Sequence, residues 1–242
     1  MELDEVLRTK VRSYQPLRER LASFDDVPII FMVGISGAGK NALMHQLQDQ
    51  YPDGYHRFVT HTTRAPRENH GQMEQNGREY HFIDLDTANM MLDNHDYIEA
   101  NVYSDNIYGT SIAEIAAARQ EGKILIGDID VNGVTRFHDL LPMSKPIFIL
   151  PPSYEVWQQR LMIRYEGDVD KTDWRNRMMT AKHEIEHVLD SNYYYLVVND
   201  DLAATAAVIN AIAQGELTDH NPDHAREIAQ GILQSLTAQL AR

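Results

Sequence analysis

Five consecutive apolar residues, Ile29-Ile30-Phe31-Met32-Val33, run directly into Gly34-Ile35-Ser36-Gly37-Ala38-Gly39-Lys40-Asn41. An unbroken apolar run of that length predicts a strand buried on both faces, and such strands belong to parallel sheets covered by helices. The residues that follow fit Gly-x-x-x-x-Gly-Lys, in which the glycines let the backbone turn its N–H groups inward around a phosphate. A helix is predicted from Asn41 to Gln50, and its N-terminus adds partial positive charge at the loop. Strand, loop and helix in that order are the context the motif requires, and Lys40 is placed to reach the β- and γ-phosphates of a nucleotide. Gly34, Ser36, Gly37, Ala38, Gly39, Lys40 and Asn41 are therefore candidate nucleotide-binding residues. The eighth position normally offers a Ser or Thr hydroxyl to Mg²⁺, but this chain has Asn41 followed by Ala42. An amide oxygen can ligate Mg²⁺, which demands tight octahedral geometry and keeps several waters, so the ion is expected to be held partly through water.

Downstream, strand-like and helix-like segments alternate, which predicts a doubly wound, mostly parallel sheet. Strands are expected at Arg57–Thr60, Arg78–Ile83, Tyr97–Val102, Ile124–Ile129, Ile147–Leu150 and Tyr194–Val198. Helices are expected at Thr87–Asp93, Ser111–Gln120, Val131–Leu140, Ser153–Arg164, Trp174–Leu189 and Leu202–Gln214, with Gly122 as a cap. Residues 60–102 are richer in turn signals, Asn76-Gly77 among them, and read as an inserted β-rich lobe. Residues 1–26 read as a helical extension broken near Pro16. Residues 215–242 form a polar, then helical tail, with Asn221 as N-cap candidate and Pro222 at the first helical position. Both terminal segments carry apolar stripes, which predict packing on the core or self-association into a homodimer.

The composition narrows the function. With 22 Lys and Arg against 36 Asp and Glu, the net charge is −14, which argues against a protein that coats nucleic acid. The absence of Cys rules out disulfides, thiolate zinc sites and Cys nucleophiles, and it fits the reducing cytoplasm. The start, Met-Glu-Leu-Asp-Glu, has no apolar signal region, and the longest apolar run, Val27 to Val33, is far too short to span a bilayer.

Further motifs appear in order. His61-Thr62-Thr63-Arg64-Ala65-Pro66-Arg67, Asn76-Gly77-Arg78-Glu79-Tyr80-His81-Phe82, Tyr97-Ile98-Glu99, Tyr108-Gly109-Thr110-Ser111, Asp128-Ile129-Asp130-Val131-Asn132-Gly133, Ile147 to Ser153 and Val197 to Leu202 succeed one another. Together they resemble the guanylate kinases, from about Ile29 to Ala213. The resemblance implies a P-loop fold with a nucleoside-monophosphate-binding lobe at 60–102 and a short lid at 165–173, inside a domain spanning 27–214. It implies ATP as donor, GMP or dGMP as acceptor, and Mg²⁺ as cofactor.

The chemistry of the implied residues is coherent. Arg64 and Arg67 clamp the acceptor phosphate with the hydroxyls of Tyr80 and Tyr108, since Arg binds oxyanions in a bidentate way. Glu74 aligns with the family's Glu just upstream of Tyr80. Guanine presents N1–H and N2–H₂ donors, so Glu99 and Asp130 suit it; Thr60 meets O6, and Thr110 supplies another hydroxyl. Arg160, Arg164 and Arg177 fall at the lid arginines that stabilise the migrating phosphoryl group. Asp128 stands near Mg²⁺, as Asn41 does, and Asn199 near the donor adenine.

The chain departs from the family at four places. Asn41 replaces the hydroxyl, about four extra residues lie between Arg67 and Glu74, Ile107 replaces a common Tyr, and Gly127 stands where a larger apolar residue is usual. His183 and His187, with Glu184 and Glu186, are expected on a solvated helix face. Two other functions fit part of the sequence: a non-catalytic guanylate-kinase-like module that binds protein ligands, and a kinase of the same build with another phosphorylated acceptor.

Overall fold

A computed structural model describes residues 3–69, 71–165, 171–216 and 222–241. In chain order the elements are α1 (Glu5–Arg12), α2 (Arg18–Ala22), β1 (Ile29–Val33), α3 (Lys40–Gln50), β2 (Tyr55–Arg57), β3 (His61–Thr62), β4 (Glu68–Asn69), β5 (Gln72–Met73), β6 (His81–Phe82), α4 (Leu85–Asp93), β7 (Tyr97–Tyr103), β8 (Asn106–Ser111), α5 (Ile112–Glu121), β9 (Ile124–Asp128), α6 (Val131–Leu140), β10 (Lys145–Leu150), α7 (Tyr154–Arg164), α8 (Lys171–Asp190), β11 (Tyr195–Val198), α9 (Leu202–Gln214) and α10 (Pro222–Leu240). The chain divides into two compact units, one of residues 1–27, 56–127 and 140–142, the other of 28–55, 128–139 and 143–242.

The second unit holds the parallel sheet the apolar runs predict. β10 pairs in parallel with β1 on one side and β11 on the other, with Met32 opposite Ile147 and Ile149 opposite Val197. All five residues of β1 are buried, as an unbroken apolar run requires. The C-terminal tail is helical from Pro222, as predicted; Asn221 lies outside the described residues. α10 buries Ala225, Ala229, Ile232 and Leu236, and it packs on α7, α8, β10 and β11.

The first unit is built on a four-stranded sheet ordered β6-β3-β8-β7. The strand predicted at Arg57–Thr60 stops at Arg57, because the Val59 N–H donates to the Glu114 carboxylate at 2.9 Å rather than to a strand. The strand predicted at Arg78–Ile83 shrinks to His81–Phe82. The Asn76-Gly77 turn closes with a 2.8 Å bond from the Gly77 N–H to the Tyr80 carbonyl, and it occupies the first half. β8 lies past residue 102, where no strand was expected, yet it forms the centre of the sheet with β3 and β7 on its flanks. The N-terminal extension breaks around Pro16 into α1 and α2, as predicted, and α1 buries Val11 in this unit.

Two of the sequence departures acquire a physical account in this unit. The residues inserted between Arg67 and Glu74 include the paired strands β4 and β5, with Glu68 opposite Met73. The Glu74 N–H donates to the Arg67 carbonyl at 2.9 Å, so the insertion leaves its two ends side by side. Gly127 has no room for more. A Cβ there would lie 1.7 Å from the Phe58 ring, which supplies the missing bulk from the segment just after β2.

Candidate active site

The phosphate loop belongs to the second unit. Gly34 and Gly39 have φ of 141° and 100°, a region side chains rarely enter. Each is also crowded: a Cβ would fall 2.4 Å from the Ile149 carbonyl at Gly34 and 2.3 Å from the Asn199 amide at Gly39. The loop is braced from outside. The Trp157 indole donates to the Ser36 carbonyl at 2.8 Å, the Asn199 side-chain amide to the Ala38 carbonyl at 2.8 Å, and Arg160 to the Ala38 and Asn199 carbonyls at 3.3 and 2.9 Å. Arg160 and Asn199 thus support the loop directly.

Beside the loop lies a cavity of about 840 Å³ lined by Gly34, Lys40, Asn41, Asp128, Arg160, Arg164, Arg177, Glu184 and Asn199, among others. The Lys40 ammonium donates to the Gly34 carbonyl at 2.5 Å and lies 4.0 Å from Asp128. Arg177 pairs with Asp173 at 2.8 Å and stacks over the Tyr165 ring at 4.4 Å; Arg164 lies over the same ring at 5.8 Å. Residues 166–170 of the expected lid lie outside the described residues. Asp130 belongs to this unit and caps α6, accepting from the Gly133 N–H at 2.6 Å.

Glu184 was expected on a solvated face and is not there. It lines the cavity, and its Oε2 is buried with no hydrogen-bond partner among the described residues. Burial pushes its carboxyl up to about 7; Lys40 pulls down, while Asp130 and Asp128 push further up. A usable signal was present, because Glu184 lies seven residues, two helical turns, after Arg177 and so shares its face of α8. His183 is exposed on the same helix. Among the described residues no cluster of three metal-binding side chains forms, which leaves the histidine pair without a zinc site.

The residues expected to hold the acceptor, other than Asp130, are in the first unit. Arg64 is buried, and its guanidinium meets both Glu74 carboxylate oxygens at 3.0 and 2.8 Å. It lies 5.2 Å from the Tyr80 ring centre and 5.8 Å from that of Phe82, and the Tyr80 and Tyr108 rings meet edge to face at 5.8 Å. Burial alone would raise the Glu74 carboxyl, but the Arg67 N–H and Arg64 outweigh it and hold the group below the usual carboxylate range. The Arg67 side chain is exposed next to this cluster. On β7 and β8, Glu99 faces Thr110 and Asn101 faces Tyr108, so all four stand on one face of the sheet. Asn101 donates to Glu99 at 2.7 Å, a partner that alternation along a strand could have revealed. The Thr60 carbonyl accepts from the His81 N–H at 3.0 Å at the same sheet's edge. One unit therefore offers a phosphate loop with a cation-lined cavity, and the other an arginine–tyrosine clamp with an acidic group beside it.

Residues 27–215 match the model of the guanylate kinase family. The chain belongs to that family. It is 37% identical over 177 residues to a guanylate kinase of Pseudomonas fluorescens, covering 73% of this chain and 82% of that one. It is 34% identical over 198 residues to a guanylate kinase of Chlamydia trachomatis, covering 81% and 91%. Among solved structures it resembles the guanylate kinase of Anaplasma phagocytophilum with a TM-score of 0.54 and 23% identity, over 88% of this chain and 94% of that chain. That likeness carries the α/β fold with its parallel sheet. Residues 1–26 and 216–242, with α1, α2 and α10, lie outside the span matched by the guanylate kinase family model.

Proposed function

We propose that this chain transfers the γ-phosphoryl group of ATP to the phosphate of GMP or dGMP, releasing ADP and GDP or dGDP. The observation that carries this reading is the coexistence of an intact lysine-bearing phosphate loop and a preformed Arg64–Glu74–Tyr80–Tyr108 cluster beside Glu99. Arg64, Arg67, Tyr80 and Tyr108 hold the acceptor phosphate, with Glu74 fixing the Arg64 fork. Glu99 and Asp130 accept the guanine N1–H and N2–H₂ protons, and Thr60 and Thr110 add hydroxyls. A phosphate oxygen of GMP attacks the γ-phosphorus as the bond to the β,γ-bridging oxygen breaks. Lys40, Arg160, Arg164 and Arg177 stabilise the charge that spreads over the migrating group. Backbone N–H groups of Gly34 to Asn41 cradle the donor phosphates, and Asn199 lies on the adenine side.

The kinase uses a divalent cation, proposed to be Mg²⁺, which neutralises the β- and γ-phosphates of the donor. The residues present suit it. Asn41 and Asp128, which line the same cavity, would offer it oxygen ligands, and the buried Glu184 oxygen, without a hydrogen-bond partner among the described residues, would accept from a metal-bound water. Among the described residues no helix is long and apolar enough to cross a membrane. The absence of Cys and the acidic balance support a cytoplasmic protein whose partners are nucleotides and not nucleic acid. Val11 of α1 and the apolar stripe of α10 are buried within their own units while Val6 is exposed, so a homodimer through the terminal helices would have to use faces other than the buried ones; light scattering measures this directly.

A coupled assay with ATP, Mg²⁺ and a panel of nucleoside monophosphates tests the reading, with GMP and dGMP the expected acceptors. Equal turnover of AMP or UMP would overturn the base assignment. No turnover of any monophosphate would favour the binding module, and preference for a phosphorylated sugar the alternative kinase.

A further inference from the structure

The N-terminal extension lies outside the matched family span, yet it is built into the wall of the acceptor lobe. α1 and its flanks bury Leu3 and Val11, with Leu7 and Tyr14 partly buried, against Ala88, Leu92, Tyr97, Ala100 and Ile107. Ile107 is the position where the guanylate kinases commonly carry Tyr. Here it is 1% exposed and faces the extension's apolar cluster, so the departure and the extension occur at one contact. Charge reinforces the seam. Arg8 pairs with Asp105 at 2.7 Å and Lys10 with Asp93 at 2.6 Å; Arg20 reaches the Asn94 and His95 carbonyls and Asp96 at 2.8 to 3.1 Å.

One contact of this seam falls at a special place. β7 pairs with β8 as Tyr97 opposite Ser111, then Glu99 opposite Thr110, so the register slips by one between Tyr97 and Glu99. Such a bulge bends the strand and re-aims the side chains next to it. The Tyr14 hydroxyl donates to the Tyr97 carbonyl at 2.6 Å, at the start of that slip, and the two rings meet edge to face at 6.2 Å. Arg20 anchors the turn that leads into the same residue. The bulge is thus held by a segment that lies outside the matched family span.

We infer that residues 3–26 are a positioning element for the base-reading strand. Tyr14 fixes the β7 bulge through the Tyr97 carbonyl and thereby sets where Glu99 presents its carboxylate to the acceptor base. Tyr14 touches no substrate, and its effect runs through Glu99. This rests on the reading that Glu99 recognises guanine. The Arg64 part of the phosphate clamp makes its contacts outside the seam, with Glu74 and over the Tyr80 and Phe82 rings. The donor loop is held by Trp157, Arg160 and Asn199. The extension therefore governs acceptor affinity and leaves donor affinity alone.

The test uses the full chain carrying Tyr14→Phe, which removes one hydroxyl and keeps the ring, and separately Arg20→Gln, which leaves the apolar seam untouched. Steady-state rates are measured with GMP and ATP varied in turn, and GMP binding by calorimetry. Losing one ordinary hydrogen bond predicts a rise of about threefold to tenfold in GMP KM and Kd for Tyr14→Phe. A smaller rise of the same kind is expected for Arg20→Gln, with ATP KM and kcat within about twofold of the parent. In Glu99→Gln the added Tyr14→Phe change should have almost no further effect, because the group it positions is already altered. Unchanged GMP KM in both variants, a parallel rise in ATP KM, or full additivity with Glu99→Gln overturns the inference. A parent chain that ignores GMP fails the functional reading itself.

Discussion

Arg64 and Lys40 are both largely buried cations beside a carboxylate, and they are held in opposite ways. Arg64 makes a two-pronged pair with Glu74 at 2.8 and 3.0 Å, so one side chain orients another. Lys40 rests on a backbone carbonyl at 2.5 Å, with Asp128 more distant at 4.0 Å. The Arg64 cluster of the first unit is made of interlocked side chains, whereas the phosphate loop of the second is a braced backbone. A backbone site tolerates a changed side chain, which is how Asn41 can stand in the loop without distorting it. A side-chain network does not tolerate change, since removing one member leaves the others wrongly paired.

The comparison predicts where substitutions bite. Lys40→Met should give the largest effect, a loss of turnover of about 10²–10³-fold with the fold and GMP binding retained. Circular dichroism, GMP calorimetry and the coupled assay check this, and turnover like the parent's would mean that the loop is not the donor site. Glu99→Gln comes next. It leaves an acceptor facing a donor as a donor–donor clash and should weaken guanine acceptance by roughly 1–3 kcal/mol. A GMP-to-AMP preference equal to the parent's would break the side-chain half of the contrast.

Glu184→Gln sharpens the donor half through pH. The folded carboxyl titrates at about 7, above the ordinary value of 4.5, so burial favours its protonated form. The stability associated with that proton is complete below pH 4.5 and is lost as pH rises through 7. The amide variant cannot lose it. It should match the parent near pH 4.5 and exceed it above pH 7, by on the order of 2 kcal/mol. Thermal melts across pH 4.5 to 9 read the difference, and parallel curves would show that the cavity does not desolvate this group. The smallest effect is expected at Asn41→Ser. Restoring a hydroxyl should lower the Mg²⁺ needed for half-maximal rate by about twofold to fivefold, with GMP binding unchanged. An identical Mg²⁺ titration would mean that Asn41 takes no part in holding the ion.

Phe58 and Gly127 show what a single sequence cannot display. Gly127 read as a missing apolar residue, yet the volume is supplied by a ring 69 positions earlier in the chain. The insertion between Arg67 and Glu74 likewise stands as a departure from the family, and the Glu74 N–H meets the Arg67 carbonyl across its two ends. In both cases the compensation is distant or conformational, so no local pattern announces it.

What the sequence determined by itself is whatever depends on local order and periodicity. The apolar run at Ile29–Val33, the glycine spacing, the helix from Asn41 and the succession of family motifs are each contiguous and can be read within a few residues. The tertiary structure decided what depends on which faces meet. Glu184 left the solvated face it was given because α8 turns that side toward the phosphate loop, where burial desolvates the carboxyl. Strand β8 took the centre of its sheet despite a weak local pattern, because β3 and β7 pair on both its edges. The stripe on α1 said only that something apolar would cover it; the bulge at Tyr97, 83 residues away from Tyr14, determined what it covers and what the contact can do. Burial and pairing between distant segments are properties of the folded chain, and a linear pattern specifies the faces without naming their partners.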